Sequence, residues 1–309
     1  MSFLENLNEF IQSVLELDIS FIKENDLVLK EKIGSGGTGS VYSGKLSLMN
    51  NESIDIVAKK FSSENYKEGY EWDIYDEAYK ELEIMSKLMD DRRFIQLYGI
   101  TYNICGEKLK IYILMENLNT DGDLHDYLHD AKFWEKYDGE YYYSMLDKKK
   151  RDICMQMCKC VDDLHSKGIV HCDLKTNNMI YYEEDKMGKL KLIDYGASVI
   201  MNGNRVNDII RCDCDQGTEG YMASELKDGI TGYKTDIYSL AVCILEVWSG
   251  DIWLNGDANT FIECRKDVLR SLKEIKDKNL NRVLQRCLIN DMYKRPPISS
   301  IMNVLNNLL

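Results

Sequence analysis

The feature of this sequence that most constrains its fold is a change of hydrophobic periodicity near Met115. From Leu27 to Met115 the chain carries short β-rich runs, which are LVLKEKIG, SVYSGKL, SIDIVAKKF, QLYGITY and KLKIYILM. A helical pattern with apolar residues at i, i+3 and i+4 interrupts these runs at 71–89. After Met115 most of the chain is helical in pattern, at 122–129, 146–167, 234–250, 262–275, 278–289 and 298–308. The sequence therefore predicts an α+β chain with a β-rich N-lobe containing one helix and a mostly helical C-lobe.

Smaller elements complete this expectation. An amphipathic helix at 3–17 is expected to dock on the body of the protein. The runs Met179–Tyr182 and Leu190–Ile193 predict a hairpin, and 132–143 reads as a loop insertion. The helix at 234–250 is apolar almost all round, which predicts that it is buried. We expect an N-terminal helical extension at 1–26, an N-lobe at 27–116 and a C-lobe at 117–309.

Composition and charge exclude several classes of function. The 309 residues include 39 Lys+Arg against 52 Asp+Glu, a formal net charge of -13. Such a surface repels nucleic acid phosphates and anionic lipid headgroups, so neither nucleic acid nor a membrane is expected as a partner. The ten cysteines come without a secretory signal, which favours reduced thiols and a cytoplasmic location over a disulfide framework.

A glycine-rich segment joins the first two predicted strands. Ile33 to Val41 reads IGSGGTGSV, with Gly34, Gly36 and Gly39 in a G-x-G-x-x-G frame. Glycines let backbone N–H groups approach a phosphate without obstruction by Cβ. A dinucleotide-binding fold would need a helix directly after the glycines, whereas a strand follows here, and this excludes that class.

The third strand and the helix after it supply a basic and an acidic side chain. Strand residues Val57-Ala58-Lys59-Lys60 place a lysine beside the glycine loop, where it can reach phosphate if a carboxylate holds its ammonium group. Glu81 shares the apolar face of the 71–89 helix, where an unpaired carboxylate would be unfavourable. An ordinary solvated Glu–Lys surface pair is the alternative at this point.

The stretch HCDLKTNN, residues 171–178, carries the most specific chemistry. Asp173 can accept a hydroxyl proton, and Lys175 can neutralise a transferring phosphoryl group. Asn178 is an oxygen ligand suited to Mg2+, and Asp194, after the predicted hairpin, supplies a carboxylate for a second metal contact. We interpret His171 as a satisfied core histidine rather than a general base.

At this point the chain resembles the eukaryotic protein kinase family, over residues 27–309 in order. The glycine loop, strand lysine, helix glutamate, H-x-D-L-K-x-x-N loop and D-x-G motif all have counterparts. So do the segment Gly217–Glu225, Asp236 at the start of the buried helix, and Arg295, which the family pairs with Glu225. The opening NDLVLKEKIGSGGTGSVYSGKL and the phrase FIQLYGI look most like the tyrosine-kinase-like branch.

The resemblance implies a role for each matching residue, with ATP and Mg2+ as cofactors and proteins as substrates. Lys60 would hold the α- and β-phosphates and pair with Glu81, while Asn178 and Asp194 would bind magnesium. Asp173 would be the base, and Lys175 would touch the γ-phosphate. The implied nucleotide contacts are Ile33, Gly34, Ser35, Gly36, Gly37, Thr38, Gly39, Val41, Ala58, Leu114, Met115 as gatekeeper, the hinge from Glu116 to Leu118, and Ile180. The implied regulatory spine is Met85, Leu97, His171 and Tyr195.

Two features refine the expected activity. Lys175 and Thr218 are the choices of serine/threonine kinases, so we expect those acceptors. Cys172 stands where an Arg usually receives an activation-segment phosphate, and no Ser, Thr or Tyr occurs from Val199 to Gly217. We therefore expect activity that does not depend on phosphorylation of this segment. Tyr195 and Ser224 also depart from the family pattern, which usually has Phe and Pro there.

Two other classes of function stay open. A pseudokinase would signal by shape, using the N-terminal helix or the 132–143 insertion as a docking surface. A small-molecule phosphotransferase would share H-x-D and I-D-x-G motifs but lack the A-x-E segment at 223–225 and the Glu225–Arg295 pair. The complete set of five chemical residues (Lys60, Glu81, Asp173, Asn178 and Asp194) favours a protein kinase that is an active enzyme.

Overall fold

The computed structural model describes residues 3–36, 39–48, 52–65, 73–106, 108–120, 122–129, 140–184, 187–201, 208–211, 217–249, 266 and 268–308. The chain divides into two compact units, Met1–Asn119 and Thr120–Leu309. Each unit has its own secondary structure and its own buried residues. In the described part of the chain, no helix is long and apolar enough to cross a bilayer.

The first unit is built on a five-stranded antiparallel sheet with strand order β1-β2-β3-β5-β4. Its elements are α1 (Phe3–Glu16), β1 (Leu27–Gly36), β2 (Gly39–Ser47), β3 (Ser53–Ser62), α2 (Asp73–Leu88), β4 (Leu97–Cys105) and β5 (Lys108–Glu116). All five strands and the helix between β3 and β4 lie where the sequence predicts them. The β-rich first lobe is therefore confirmed.

The N-terminal helix α1 packs on α2. Leu7, Phe10 and Val14, spaced three and four residues apart, form its buried face. The ring of Phe10 lies 5.5 Å from the ring of Tyr75 on α2. The expectation that this helix docks on the body of the protein is confirmed, and it belongs to the first compact unit.

A short extended segment after α1 runs beside the edge strand β4. Ile22 N donates to Ile100 O at 2.7 Å, and Ile100 N donates to Ser20 O at 3.0 Å. Gly99 has a φ of +147°, and a Cβ there would collide with the Ser20 carbonyl oxygen. This close approach of two backbones requires glycine at position 99.

The second unit is mostly helical. Its helices are α3 (Leu124–His129), α4 (Glu140–Ser166), α5 (Tyr233–Ser249), α6 (Lys278–Cys287) and α7 (Ile298–Asn306). Its short strands pair antiparallel as β6 (Ile169–Val170) with β9 (Val199–Ile200), β7 (Met179–Glu184) with β8 (Met187–Leu192), and β10 (Ile209–Arg211) with β11 (Ile230–Gly232). Every residue of α5 from Tyr233 to Val247 is buried, as its all-round apolar pattern predicts.

Two elements differ from the sequence prediction. Residues 140–143, expected in a loop, form the first turn of α4, because no Gly or Pro interrupts the chain between Gly139 and the predicted helix. The rest of that expected loop, up to 139, lies outside the described residues. Much of the helix predicted at 262–275 also lies outside them, and Leu272–Glu274 is a 3-10 helix. The two compact units divide between Asn119 and Thr120, and the expected lobe boundary after 116 stays a prediction.

Candidate active site

A buried ion pair joins β3 to α2 in the first unit. Lys59 Nζ lies 2.7 Å from Glu81 Oε2, and the two side chains are only 8% and 2% exposed to solvent. Glu81 shares the buried face of α2 with Ala78 and Met85. Removing one partner of a buried pair leaves the other charge uncompensated, at a cost of about 3–5 kcal/mol. The pair therefore fixes a positive group on the strand.

The predicted pairing of Lys60 with Glu81 is wrong, because Lys59 makes that contact. Side chains alternate between the two faces of a strand, so Lys60 is directed to the face opposite Lys59. The sequence offers two adjacent lysines of equal chemistry. The packing of α2 on one face of the sheet selects between them, and a local pattern does not contain that information.

The same register corrects two of the expected nucleotide contacts. Ala58 and its cross-strand neighbour Leu114 belong to a buried cluster with Leu46 and Ile56, on the face away from Lys59. Ala58 and Leu114 therefore do not line a pocket beside that lysine. The residues that share the face of Lys59 through cross-strand pairing are Val41, Val57, Ile113 and Met115.

The glycine loop is described at its two ends. Gly34 pairs with Val41, Ser35 with Ser40, and Gly36 with Gly39, whereas Gly37 and Thr38 lie outside the described residues. A Cβ on Gly39 would lie 2.5 Å from the Lys60 carbonyl oxygen, so the close approach of the start of β2 to the neighbouring strand β3 requires this glycine. Gly34 has only ordinary contacts. Ile33 is 53% exposed on β1.

The remaining expected nucleotide contacts lie on or near strand ends. Met115 and Glu116 end β5, and the Glu116 carboxylate accepts from Gln96 N at 2.7 Å. Leu118 follows, half-buried, in the first unit. Ile180 is half-buried on β7 in the second unit. Their contact with a nucleotide stays a prediction.

In the second unit, the loop 171–178 is anchored by the buried start of α5. Asp236 accepts from His171 N at 2.8 Å and from Cys172 N at 3.0 Å, and its Oδ2 lies 2.8 Å from His165 Nε2. Cys172 has a φ of +66°, a left-handed conformation that is unusual for a residue with a side chain. One completely buried carboxylate thus holds the backbone that presents Asp173.

Asp173 is the centre of a compact polar group. Its Oδ1 accepts from Thr218 N at 3.0 Å and from Thr218 Oγ1 at 2.8 Å. Its Oδ2 accepts from Lys175 Nζ at 2.8 Å and from Asn178 Nδ2 at 3.2 Å. Lys175 Nζ also donates to Thr218 Oγ1 at 2.8 Å. The structure therefore brings four side chains together. Asp173, Lys175 and Asn178 come from one loop, and Thr218 comes from a later segment of the chain.

Two oxygen donors of this unit suit a hard cation. Asn178 is buried, and its amide nitrogen donates to the Asp173 carbonyl oxygen at 2.8 Å, which leaves the amide oxygen for another partner. Asp194 is exposed and takes a φ of +61°. Ile193 N donates to Asn178 O at 2.9 Å, which ties the two segments together. Amide and carboxylate oxygens are ligands that Mg2+ prefers, so this donor set fits magnesium.

The residues flanking these donors have structural roles. His171 is fully buried, with its ring 5.8 Å from the ring of Tyr195. The hydroxyl of Tyr195 donates to Leu192 O at 2.8 Å, so Tyr is accommodated where the family usually has Phe because its hydroxyl has a partner. The interpretation of His171 as a core residue agrees with its complete burial.

A buried ion pair ties the segment after Thr218 to the C-terminal part of the second unit. Arg295 Nη2 donates to Glu225 Oε2 at 2.9 Å, and Arg295 Nη1 donates to Lys234 O at 2.8 Å. Lys234 Nζ in turn donates to Arg295 O at 2.6 Å. The pairing of Glu225 with Arg295 expected from the resemblance is present.

A second carboxylate centre, which was not predicted from the sequence, contacts the loop 171–178. Glu246 Oε2 accepts from Thr176 Oγ1 at 2.9 Å and from Tyr221 Oη at 2.6 Å. Glu246 Oε1 lies 2.8 Å from His125 Nδ1 and 3.3 Å from His129 Nε2. Burial alone would raise the pKa of Glu246, but these hydrogen bonds hold it at about 2. The signal in the sequence was the pair of histidines four residues apart in HDYLH.

Comparison with known proteins agrees with this geometry. The model of the protein kinase domain family matches residues 27–305. A probable serine/threonine-protein kinase 2 of Plasmodium falciparum is 29% identical over 228 residues, which are 74% of this chain and 38% of that protein. A calcium/calmodulin-dependent protein kinase type 1 of Macrobrachium nipponense is 28% identical over 246 residues, 79% of this chain and 63% of the relative.

A plant relative matches a similar length of the chain. A G-type lectin S-receptor-like serine/threonine-protein kinase of Arabidopsis thaliana is 31% identical over 231 residues, 74% of this chain and 25% of the relative. The chain matches between about a quarter and two thirds of the length of these relatives. The similarity therefore covers a domain of these relatives and not their full length.

Proposed function

The chain belongs to the protein kinase family, and from this membership we propose that it transfers the γ-phosphoryl group of ATP to serine and threonine hydroxyls of proteins, with Mg2+. The observation that carries the proposal is the cluster around Asp173, in which one carboxylate contacts Lys175, Asn178 and Thr218. A carboxylate, a cation and an amide so arranged are the groups that phosphoryl transfer to a hydroxyl requires.

Each of these side chains has a distinct task in the proposed reaction. Asp173 orients the acceptor hydroxyl and takes its proton, while Lys175 faces the negative charge on the transferred group. Asn178 and Asp194 would hold Mg2+, which when bound neutralises charge on the phosphates. Lys59, fixed by Glu81, would hold the α- and β-phosphates, the role that the sequence assigned to Lys60.

Serine and threonine as acceptors are supported by the contact between Lys175 and Thr218. Both side chains reach Asp173, and their mutual hydrogen bond of 2.8 Å defines the space in front of the carboxylate. The resemblance associates this pair of residues with serine/threonine kinases. Phosphoamino-acid analysis of a phosphorylated protein mixture should yield phosphoserine and phosphothreonine, and a predominance of phosphotyrosine would contradict the assignment.

The catalytic test is the variant Asp194→Asn. It removes charge from the proposed metal site at an exposed position, so we expect kcat to fall at least about hundredfold while the fold is retained. The matched control is Asp162→Asn, an exposed position on α4, which should keep wild-type turnover. Phosphate transfer from radiolabelled ATP to a basic protein, followed against Mg2+ concentration, gives the measurement. Unchanged turnover in Asp194→Asn would refute the proposed role, and an inactive wild type would favour the pseudokinase.

We also propose that activity does not depend on phosphorylation of the activation segment. Cys172 is buried in a cluster with Val170, Met201 and Tyr233, against which Ile210 packs. Ile210 belongs to β10, which pairs with β11. Apolar packing against Cys172 and pairing of β10 with β11 thus hold the described part of the activation segment in place. In kinases that are switched by phosphorylation, an arginine at the position of Cys172 would bind the phosphate.

Phosphatase treatment tests this second proposal. Turnover should be the same before and after exhaustive dephosphorylation, with intact mass confirming an unmodified segment. The informative variant is Cys172→Arg, which restores the usual phosphate receiver and should not increase turnover, because residues 199–217 contain no hydroxyl to phosphorylate. A large loss of activity that follows removal of a phosphate between Asp194 and Glu225 would refute the proposal.

Two finer assignments complete the proposed function. A place in the tyrosine-kinase-like branch is supported by the sequence of the glycine loop and by FIQLYGI at 94–100. A cytoplasmic location is supported by the seven free cysteines among the described residues.

A further inference from the structure

Three potential metal-ligating side chains converge away from the proposed magnesium ligands. His125 and His129 lie four residues apart on α3, and Glu246 lies on the buried helix α5. The nearest ligand atoms of the three residues all lie within 4.8 Å of one another. From this convergence we propose that His125, His129 and Glu246 form a binding site for a divalent transition metal ion, with Zn2+ as the best fit.

The distances suit a tetrahedral ion. Zn2+ binds histidine nitrogen and carboxylate oxygen at about 2.0–2.2 Å, which separates neighbouring ligand atoms by about 3.3–3.5 Å in a tetrahedron. The nitrogen atoms of His125 and His129 lie 2.8 and 3.3 Å from Glu246 Oε1. The His129–Glu246 pair already has the separation of two ligands around an ion, and the His125–Glu246 pair reaches it by opening about half an ångström. Two histidines and one glutamate leave the fourth position of the tetrahedron for water or another small ligand.

The position of Glu246 favours binding of a cation. Its side chain is 3% exposed, and its other oxygen, Oε2, accepts from the hydroxyl groups of Thr176 and Tyr221. These two hydrogen bonds orient the carboxylate so that Oε1 faces the histidines, which is how neighbouring groups commonly position a metal ligand. A metal ion can enter from the side of the histidines, because the side chains of His125 and His129 are 25% and 15% exposed to solvent.

The surrounding charge also favours a cation. The carboxylates of Glu246, Asp123 and Asp126 place negative charge around His125. This charge attracts a metal cation to the three ligands. For ligation each imidazole must be neutral, with its proton on the nitrogen that faces away from the metal, so the ion replaces the two N–H contacts to Oε1.

Soft or borderline ions are preferred over magnesium by this donor set. Imidazole suits zinc, copper, nickel and iron, whereas Mg2+ keeps oxygen ligands and several waters. The site is thus chemically distinct from Asn178 and Asp194. It is linked to the catalytic loop through Thr176, which follows Lys175 in the chain.

The experiment uses the full chain, freed of metal by a chelator and then dialysed. Zn2+ is titrated by calorimetry, and thermal unfolding is recorded with and without Zn2+. We expect zinc to raise the Tm of the wild type. The double variant His125→Asn, His129→Gln keeps N–H donors near Glu246, so it should fold, but its amide nitrogens offer no lone pair to a metal. We expect its zinc affinity to fall at least about tenfold, equivalent to about 1.4 kcal/mol.

Controls separate this site from other ligands of zinc. Asp162→Asn changes an exposed carboxylate on α4 that is not a proposed ligand, and it should keep at least half of the zinc affinity. Co2+ bound at the site should lack the near-ultraviolet charge-transfer band of cobalt thiolates. Absence of zinc binding by the wild type would overturn the proposal. Equal binding by the double variant, or a thiolate band in the wild type, would overturn it as well.

Discussion

Two adjacent lysines on β3 differ in the face of the sheet that each occupies. Lys59 contacts Glu81 at 2.7 Å in a buried environment, whereas Lys60 lies opposite Tyr112 on the other face. Identical side chains on neighbouring residues therefore have different environments. Their replacement provides a matched pair of variants.

We predict that Lys59→Met lowers kcat/KM at least about hundredfold, because a fixed positive charge near the phosphates is lost. Lys60→Met should stay within about threefold of wild type. Steady-state kinetics with a peptide substrate at several ATP concentrations measures both. Because Lys59→Met also leaves Glu81 buried without this partner, the Tm of each variant is recorded alongside. Greater sensitivity at Lys60 would contradict the register of β3.

Part of the cluster around Asp173 could be predicted from the sequence, because Asp173, Lys175 and Asn178 lie in one short loop. Their catalytic roles stay predictions. The choice between Lys59 and Lys60 required the position of α2, which is a tertiary contact. Glu246 could not be found from its surroundings in sequence, because its partners, among them His125 and Thr176, come from distant segments.

At the scale of elements, α1 links the N-terminus of the chain to the helix that carries Glu81. The buried face of α1 contacts α2 through Phe10 and Tyr75. Amphipathic periodicity predicted the existence of α1 and its docking through an apolar face, of which Leu7, Phe10 and Val14 are buried. It did not identify the surface that receives them, since any apolar groove satisfies such a helix.

Replacement of Phe10 by Ala should lower the free energy of unfolding by about 3 kcal/mol, because a buried aromatic ring is removed. The control is Leu4→Ala on the same helix, where the side chain is 65% exposed and the change should be within about 0.5 kcal/mol. Urea denaturation followed by circular dichroism measures both values. Equal effects at the two positions would mean that α1 does not pack on α2 in solution.

At the scale of the whole molecule, the reactivity of each cysteine thiol depends on whether the core around it is folded. Burial raises the pKa of Cys154 and of Cys287 to about 12, and it raises the pKa of Cys158 and Cys243 well above the usual range. Among the described cysteines, Cys105 is the exposed one. Thiolates are the reactive form, so reactivity should follow this division.

We predict that iodoacetamide at neutral pH alkylates Cys105 far faster than Cys154, Cys158, Cys243 or Cys287. Peptide mass spectrometry at increasing times gives the rate for each cysteine. In denaturant all five rates should converge, which is the control for intrinsic reactivity. Rapid labelling of Cys154 in the folded protein would contradict the burial of α4 against its neighbours.

The backbone contact of Ser20 and Ile22 with Ile100 has a consequence for solubility. An uncovered edge strand presents a row of unsatisfied N–H and C=O groups that can recruit a strand from another molecule. The segment after α1 occupies part of that row on β4, and Gly99 allows it to lie close enough to do so. Residues 20–22 thus cover part of the edge of β4 and oppose self-association through it. Any shortened version of the chain intended for expression should therefore retain them.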